Sequence, residues 1–213
     1  MFLLKELFEF MGDKQDKIIE MFGEHCRMVL ISLVISIVIG VIVGYLITYN
    51  KYIANFVLYL TSIFMTIPSL ALFAFLAPVL GLNEKPVIVG LVIYTLLPIV
   101  RNTYVGLNNV DPKVVNAAQG MGLTPFEITV KIRVPLALPV ILAGIRTAVV
   151  LGIGIGAIAA YIGEGGLGVY IFQGINRGNI YMVLSSALLI ALLTIVVDKL
   201  FLALQKMAEK HIA

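Results

Sequence analysis

The sequence predicts an all-α integral membrane protein with about five transmembrane helices and a helix–turn–helix loop outside the bilayer. Of its 213 residues, 61% are hydrophobic and only 13% are charged, a composition too apolar for a soluble domain of this size. Several apolar runs approach or exceed the ~20 residues that a helix needs to cross ~30 Å of hydrocarbon. Between two of these runs lies a polar stretch rich in helix start and stop signals. The expected architecture rests on these three observations.

Residues 1–26 are expected to form an external amphipathic segment. Apolar side chains between residues 2 and 11 recur at close to helical spacing, and the charged residues Lys5 and Glu6 stand between them. This pattern predicts a helix that lies along the outer membrane surface; a loosely ordered tail is the alternative. The segment has no compact apolar core followed by a small-residue cleavage site, so we do not expect a removable signal.

The remaining residues, 27–213, are expected to form one transmembrane domain. Prolines fall inside the second, third and fourth predicted spans, where they are expected to kink the helices. The predicted spans are 27–49, 53–80, 86–107, 134–162 and 180–202.

The topology follows from placing the polar loop between spans three and four in the cytoplasm. Five spans then leave the N-terminus outside and the C-terminus inside. Lys and Arg are more numerous in the segments that this assignment places inside, as membrane proteins prefer, and the acidic residues of the N-terminal segment fall outside. We therefore expect a multi-pass membrane protein.

The first half of the polar loop, which spans about 108–135, carries the signals of a short helix. Asp111 is placed as an N-cap and Pro112 as the first helical residue, where its missing N–H has no cost. Gly122 is placed to end this helix, because glycine accepts the left-handed conformation of a C-terminal turn.

The second half of the loop starts another helix. Thr124 and Glu127 match a capping box, and Pro135 is expected to end the helix. Two short helices held outside the bilayer between two spans predict a docking element for a partner protein.

This loop resembles the EAA loop of ABC importer permeases, written E-A-A, three residues, G, nine residues, I, one residue, L-P. Asn116 stands where the family usually has Glu, and Val134 where it has Leu. Any charge contact that the Glu would make to an ATPase therefore lacks its acid, but the helix–glycine–helix geometry is kept. The matching positions are Asn116, Ala117, Ala118, Gly122, Ile132, Val134 and Pro135.

Beyond the loop, the chain from about His25 to its last span is similar to the permease subunits of osmoprotectant importers, the glycine betaine/carnitine/choline group. The segments that carry this similarity are 66–72, 97–104, 135–139, 143–148 and 161–168, with Ile171, Phe172, Gly174 and Ile175.

The resemblance implies a type I ABC importer of a bacterial or archaeal cytoplasmic membrane, in which residues 27–213 would form the permease domain. Two permease copies, or this chain and a paralogue, would form the pathway within the membrane lipid. A cytoplasmic ATPase dimer would grip the EAA loops, and an external binding protein would deliver the substrate. The chain would be a transport subunit and not an enzyme, with ATP and Mg bound by the ATPase and no cofactor of its own. The sequence agrees, since it has no G-x-x-x-x-G-K-[ST] phosphate loop.

Four residues are candidates for the pathway or its gate. Pro68 and Ser69 belong to the similar segment of span two. Glu164, where related permeases usually show Ala, lies in a glycine-rich external turn that is flexible or re-entrant, and is either a solvated loop charge or part of a gate or binding-protein contact. Arg146 is a strongly interior charge of span four, which either faces a cavity or partner or extends to the interface.

Other classes of function find little support. The net charge of +3 is too small to indicate a nucleic-acid partner. No metal site is expected, because His25 and His211 lie at opposite ends of the chain. Gly163 to Gly168 match G-x-G-x-x-G, but the match follows a spanning helix and no βαβ unit surrounds it.

Two alternative functions remain open. The near one is an ABC permease for another small solute, such as methionine or a betaine-like amino acid. The distant one is an ion-coupled secondary carrier. Against the carrier, we expect spans one, two and five to lack the buried Asp, Glu or His that proton coupling employs, and no inverted repeat is evident.

Overall fold

The computed structural model describes residues 2–81, 83–162 and 165–210, and every regular element in these ranges is helical. Short 3-10 turns follow two of the helices, at Ile47–Tyr49 and Ala160–Ile162. The α-helices are α1 (Phe2–Asp13), α2 (Gln15–Leu46), α3 (Lys51–Thr66), α4 (Ser69–Leu80), α5 (Lys85–Asn108), α6 (Pro112–Gly120), α7 (Pro125–Ile128), α8 (Val134–Ala159), α9 (Gly168–Arg177) and α10 (Ile180–Lys210).

The described residues include four helical segments long and apolar enough to cross a membrane, or five spans if the bent pair α3–α4 counts as one. The expected all-α, multi-pass architecture is confirmed. The four unbroken segments are Gln15–Tyr49, Lys85–Asn108, Pro125–Ile162 and Ile180–Lys210.

The predicted second span, 53–80, consists of two helices, and the bend expected at its prolines is sharper than a kink. The axes of α3 and α4 differ by 96° at a break around Ile67 and Pro68. Proline disfavours the helical conformation of the residue before it, and Ile67 accordingly has an extended ψ of 129°. The hydroxyl of Tyr94 on α5 donates a hydrogen bond to the Ile67 carbonyl at the break. Such a partner lets non-helical backbone persist at membrane depth.

The second helix of the polar loop does not end at Pro135. It runs through a turn of π-helix at Thr129–Arg133 directly into α8, so that Pro125–Ile162 is one helical segment. Pro135 is the second residue of α8, and the irregular turn before it absorbs the proline that would otherwise break the ladder. Loop and span four are therefore joined rigidly.

Two boundaries differ from those predicted. Helix α2 begins at Gln15 and not at residue 27, and α10 continues to Lys210 and not 202. Helix α9, which follows the glycine-rich turn between spans four and five, was not predicted. The N-terminal segment is helical over α1, where Leu7 is buried. Its placement along a membrane surface stays a prediction.

The core lies where α5 and α8 pack against each other, with α2 on one side and α10 beside α8. Glycines of α2 let it approach α5 closely. A Cβ on Gly40 would lie 2.7 Å from Ile99 Cγ2, and one on Gly44 would lie 2.6 Å from Thr103 Cβ. These glycines therefore serve packing within the chain.

Candidate functional site

The first helix of the loop has the predicted ends. The Asp111 carboxylate accepts a hydrogen bond of 2.8 Å from the Lys113 N–H. After α6, Gly122 adopts a φ of +84°, its N–H donates to the Gln119 carbonyl at 2.9 Å, and the Leu123 N–H donates to the Ala118 carbonyl at 3.2 Å. These bonds satisfy carbonyls that the end of the helix leaves free.

The second helix begins with the predicted capping box. Thr124 Oγ1 accepts from the Glu127 N–H at 3.3 Å, and the Thr124 N–H donates to Glu127 Oε2 at 3.0 Å. Lys131 Nζ lies 2.9 Å from Glu127 Oε1. The two ends of the box and the lysine hold the start of the helix in one geometry.

Glu127 lies outside the hydrocarbon. The segment Pro125–Ile162 has 38 residues, about 57 Å at 1.5 Å per residue, which is nearly twice the ~30 Å to be crossed. The charges of its first turns mark the end that projects. There, the backbone hydrogen bond from Thr124 and the hydrogen bond from Lys131 lower the pKa of Glu127 from 4.5 to about 2.

The two loop helices enclose a small core of their own. Val115, Ala118 and Ile128 are buried, and Leu123 and Ile132 pack partly against them. Ala118 is 0% exposed, so it packs inside the loop and does not face outward. The loop therefore presents a preformed surface and needs no partner to shape it.

The outward surface of the loop carries most of the other EAA-like positions. Asn116, Ala117 and Gly122 are exposed, as are Val134 and Pro135 where span four begins. The largest apolar side chains on this surface are Met121 and Phe126, each 72% exposed. Neither belongs to the motif, and the sequence interpretation did not select them. Their positions, beside Gly122 and after Pro125, are the sequence signal that could have indicated them as surface residues of the loop.

The gate candidates do not form one cluster. Pro68 is exposed and Ser69 half-buried, both at the break between α3 and α4. Glu164 lies outside the described residues. Just after it, Gly165 and Gly166 both have a φ of +78°, and the Gly166 N–H donates to Glu24 Oε2 at 2.8 Å. The glycine-rich turn is thus tied to α2.

Arg146 has a partner within the chain, which the sequence interpretation missed. Its Nε and Nη2 donate to Oδ1 and Oδ2 of Asp198 at 2.5 and 2.9 Å, a bidentate pair that joins α8 to α10. The two side chains are 30% and 27% exposed. The structure favours the partner over extension to the interface. The rule that charges within spans pair with one another could have found Asp198.

The expectation that spans one, two and five lack buried Asp, Glu or His is wrong for span one, where His25 lies on α2 because this helix begins earlier than predicted. Asp198 of span five is half-buried. His25 is 0% exposed, and its Nε2 lies 3.2 Å from the Ile153 carbonyl of α8. Within the described ranges, no three His, Cys, Asp or Glu residues are grouped to hold a metal ion.

Comparison with known proteins identifies a family that this chain matches. The family described as binding-protein-dependent transport system inner membrane component matches residues 36–213.

Three relatives are similar over most of their length. The osmoprotectant import permease protein OsmW of Salmonella typhimurium is 39% identical over 205 residues, covering 94% of this chain and 95% of the relative. The glycine betaine/carnitine/choline transport system permease protein OpuCB of Bacillus subtilis is 35% identical over 195 residues, covering 92% and 90%. The carnitine transport permease protein OpuCB of Listeria monocytogenes is 41% identical over 151 residues, covering 71% and 69%.

Among solved structures, an inward-facing form of the MetNI methionine ABC transporter matches with a TM-score of 0.83 at 23% identity, covering 92% of this chain and 98% of that one. At this identity the likeness establishes the fold, that of a type I ABC importer permease. Together with the match of the family over residues 36–213, it leads to one conclusion. The chain belongs to the family of binding-protein-dependent transport system inner membrane components, as a permease subunit of an ABC importer.

Proposed function

We propose that this permease imports quaternary-amine osmoprotectants, of the class of glycine betaine, carnitine and choline, with a separate ATPase and an external binding protein. The observation that carries the transport role is the docking loop, a preformed pair of helices whose second helix runs unbroken into span four. The substrate class is supported by the relatives, whose names specify carnitine, glycine betaine, choline or osmoprotectant transport.

The loop would transmit the conformational change of the ATPase to the transmembrane helices. Two copies of the chain, or this chain and a paralogue, would each present Met121, Phe126 and the small residues between them to one ATPase subunit. ATP and Mg would bind in the ATPase dimer and not in this chain. Closure of the dimer would draw the two loops together. Because α7 continues into α8, the movement would reach span four as a rigid-body displacement, the type of motion that alternates access.

The orientation follows from this role. The loop would lie in the cytoplasm, the N-terminus and α9 outside, and the end of α10 inside. The break at Pro68 and Ser69, together with Arg146 and Glu164, would contribute to the pathway or its gate. Support for the break comes from the non-helical backbone at Ile67–Pro68, which membranes tolerate only where protein or water covers it.

Site-directed cross-linking tests the docking role. In a Cys26→Ser background, Ala117→Cys is expected to form a cross-link to the co-purified ATPase, because Ala117 is exposed. Ala118→Cys is the matched control, since its side chain packs inside the loop. The docking assignment fails if Ala117→Cys captures no ATPase while the complex remains assembled.

Competition for uptake tests the substrate class. In membrane vesicles energised with ATP and supplied with the binding protein, excess glycine betaine, carnitine or choline is expected to inhibit uptake, and methionine is not. Inhibition by methionine alone would retain the importer and reject the substrate. Uptake that follows the membrane potential and not ATP would reject both.

A further inference from the structure

An apolar groove runs along the membrane-spanning surface beside the docking loop. It has a volume of about 240 Å³ and lies between α2, α5 and the helical segment that begins with α7. Helix α5 contributes Thr103 and Leu107 to its floor. Its walls are Val41, Ile42 and Tyr45 on one side and Phe126, Val130 and Val134 on the other.

A smaller, polar cavity of about 80 Å³ continues the groove towards the loop. Gln119, Thr129 and Arg133 contribute its polar side chains, with Tyr49. Thr129 lines both spaces. The hydroxyls of Tyr45 in the groove and Tyr49 in the cavity contact each other, so the two spaces lie one helical turn apart along α2 and its 3-10 end.

Each space is lined by a residue that has a buried polar atom without a hydrogen-bond partner. Thr103, which is 0% exposed, has an unpartnered Oγ1 and lines the groove. The buried Nε of Arg133 is also unpartnered, and the Arg133 side chain lines the polar cavity. Buried polar atoms are almost always hydrogen-bonded, and a guanidinium N–H can only donate. No carboxylate of the described residues pairs with Arg133, so its positive charge at the cavity favours an anionic acceptor.

We propose that the groove and cavity bind one phospholipid with an anionic headgroup, its acyl chain in the groove and its phosphate at Arg133. Apart from Phe126, which lies in the docking loop, the groove walls belong to helical segments long and apolar enough to cross a membrane, so an acyl chain reaches the groove from the bilayer. The cavity lies where span four leaves the hydrocarbon, the level of lipid phosphates. A planar guanidinium donates to phosphate oxygens in pairs, and the Gln119 amide adds donors for the rest of the headgroup.

The position of this lipid gives it a mechanical consequence. Thr129 and Arg133 are the two ends of the π turn that links the docking loop to span four. A lipid held there would brace the turn against α2, and its loss would loosen the connection between the loop and α8. The lipid is thus a structural ligand of the coupling region, whatever solute is imported.

Lipid exchange tests the proposal. The permease complex is reconstituted into nanodiscs that contain phosphatidylcholine with a minority of phosphatidylglycerol, then extracted, and its retained lipid is measured by native mass spectrometry. Wild type is expected to retain phosphatidylglycerol, and Arg133→Gln to retain roughly tenfold less, as loss of a charge-assisted contact implies. Lys131→Gln is the matched control, a neighbouring charge on the same turn that pairs with Glu127.

Four outcomes would overturn the proposal: equal retention by wild type and Arg133→Gln, equal loss in both charge variants, displacement of the lipid by inorganic phosphate alone, or an ATPase segment cross-linked to Arg133 in the lipid-loaded complex. If Arg133→Gln does not assemble, Ile42→Trp decides the question. It fills the groove without touching the charge, and is expected to exclude the lipid while Ile39→Trp, on the exposed surface of the same helix, is expected to retain it.

Discussion

The docking loop and the membrane interior are each stabilised by a different kind of contact. In the loop, the bonds that set its shape join residues two to five positions apart, such as Thr124 with Glu127 and Leu123 with Ala118. In the interior, the polar contacts that join one helix to another connect residues far apart in sequence. Arg146 and Asp198 are separated by 52 positions and Ile67 and Tyr94 by 27. The comparison teaches that local sequence determines the shape of the docking loop, whereas contacts between distant segments determine the packing of the transmembrane helices.

Breaking the Arg146–Asp198 pair should have the largest effect on the stability of the transmembrane helices. Asp198→Ala leaves the Arg146 charge unpaired within span four, which is expected to destabilise the protein. Thermal unfolding of the purified permease measures the loss. The double variant Arg146→Met with Asp198→Leu should recover most of it, since a well-packed apolar pair can replace a buried ion pair. Equal instability of the single and double variants would contradict this account.

Filling the loop core should separate folding from docking. Ala118→Phe overpacks the core of Val115 and Ile128 and is expected to destabilise the loop by about 1–3 kcal/mol. Proteolysis of the loop should rise and ATPase coupling should fall. Ala117→Phe, on the exposed surface, is expected to leave proteolysis unchanged and reduce coupling alone. A stable, protease-resistant Ala118→Phe would show that the side chain is not held as described.

Changing the glycine between the loop helices should have a moderate effect. Gly122→Asp places a side chain at a φ of +84°, which costs roughly 1 kcal/mol, and adds a charge to the docking surface. Binding-protein-stimulated ATPase activity is expected to be lost while membrane insertion is kept. Gly120→Asp is the control, because that glycine is exposed and helical and a Cβ there meets no neighbour. Equal losses from both variants would trace the effect to charge and not to conformation.

Removing the hydroxyl at the α3–α4 break should have the smallest effect. Tyr94→Phe deletes the hydrogen bond to the Ile67 carbonyl, worth about 1 kcal/mol. Uptake is expected to fall with little change in unfolding temperature, because the ring remains packed. Tyr104→Phe, on the same helix but without that contact, serves as the control. Uptake unaffected by Tyr94→Phe would remove the break from the gate.

The sequence predicted the loop in detail because its determinants are local. The Asp111 cap, the left-handed Gly122 and the Thr124–Glu127 box are all present as expected. The prediction failed at Pro135, where a helix stop was expected. Proline permits a helix to continue when an irregular turn precedes it, and only the packing around Thr129–Arg133 selects that solution.

The interior was predicted less well, because its determinants are contacts between distant segments. Apolar runs indicated the number of spans, but every position in such a run looks alike to a hydropathy pattern. The early start of α2, the helix α9 and the 96° break depend on which surfaces meet in three dimensions. Asp198 and His25 were overlooked because their partners, Arg146 and the Ile153 carbonyl, lie on another helix.

The sequence by itself therefore determined the membrane class, the approximate spans, the loop with its caps, and the resemblance to ABC importer permeases. The class, the spans and the caps follow from composition or from contacts within one or two helical turns, and the resemblance follows from the residues of the motif. The tertiary structure alone decided that Ala118 faces inward, that Arg146 pairs with Asp198, that span two is broken, and that the docking loop is continuous with span four. Each of these depends on the approach of distant segments, because a side chain's exposure and its polar partner are set by its neighbours in space.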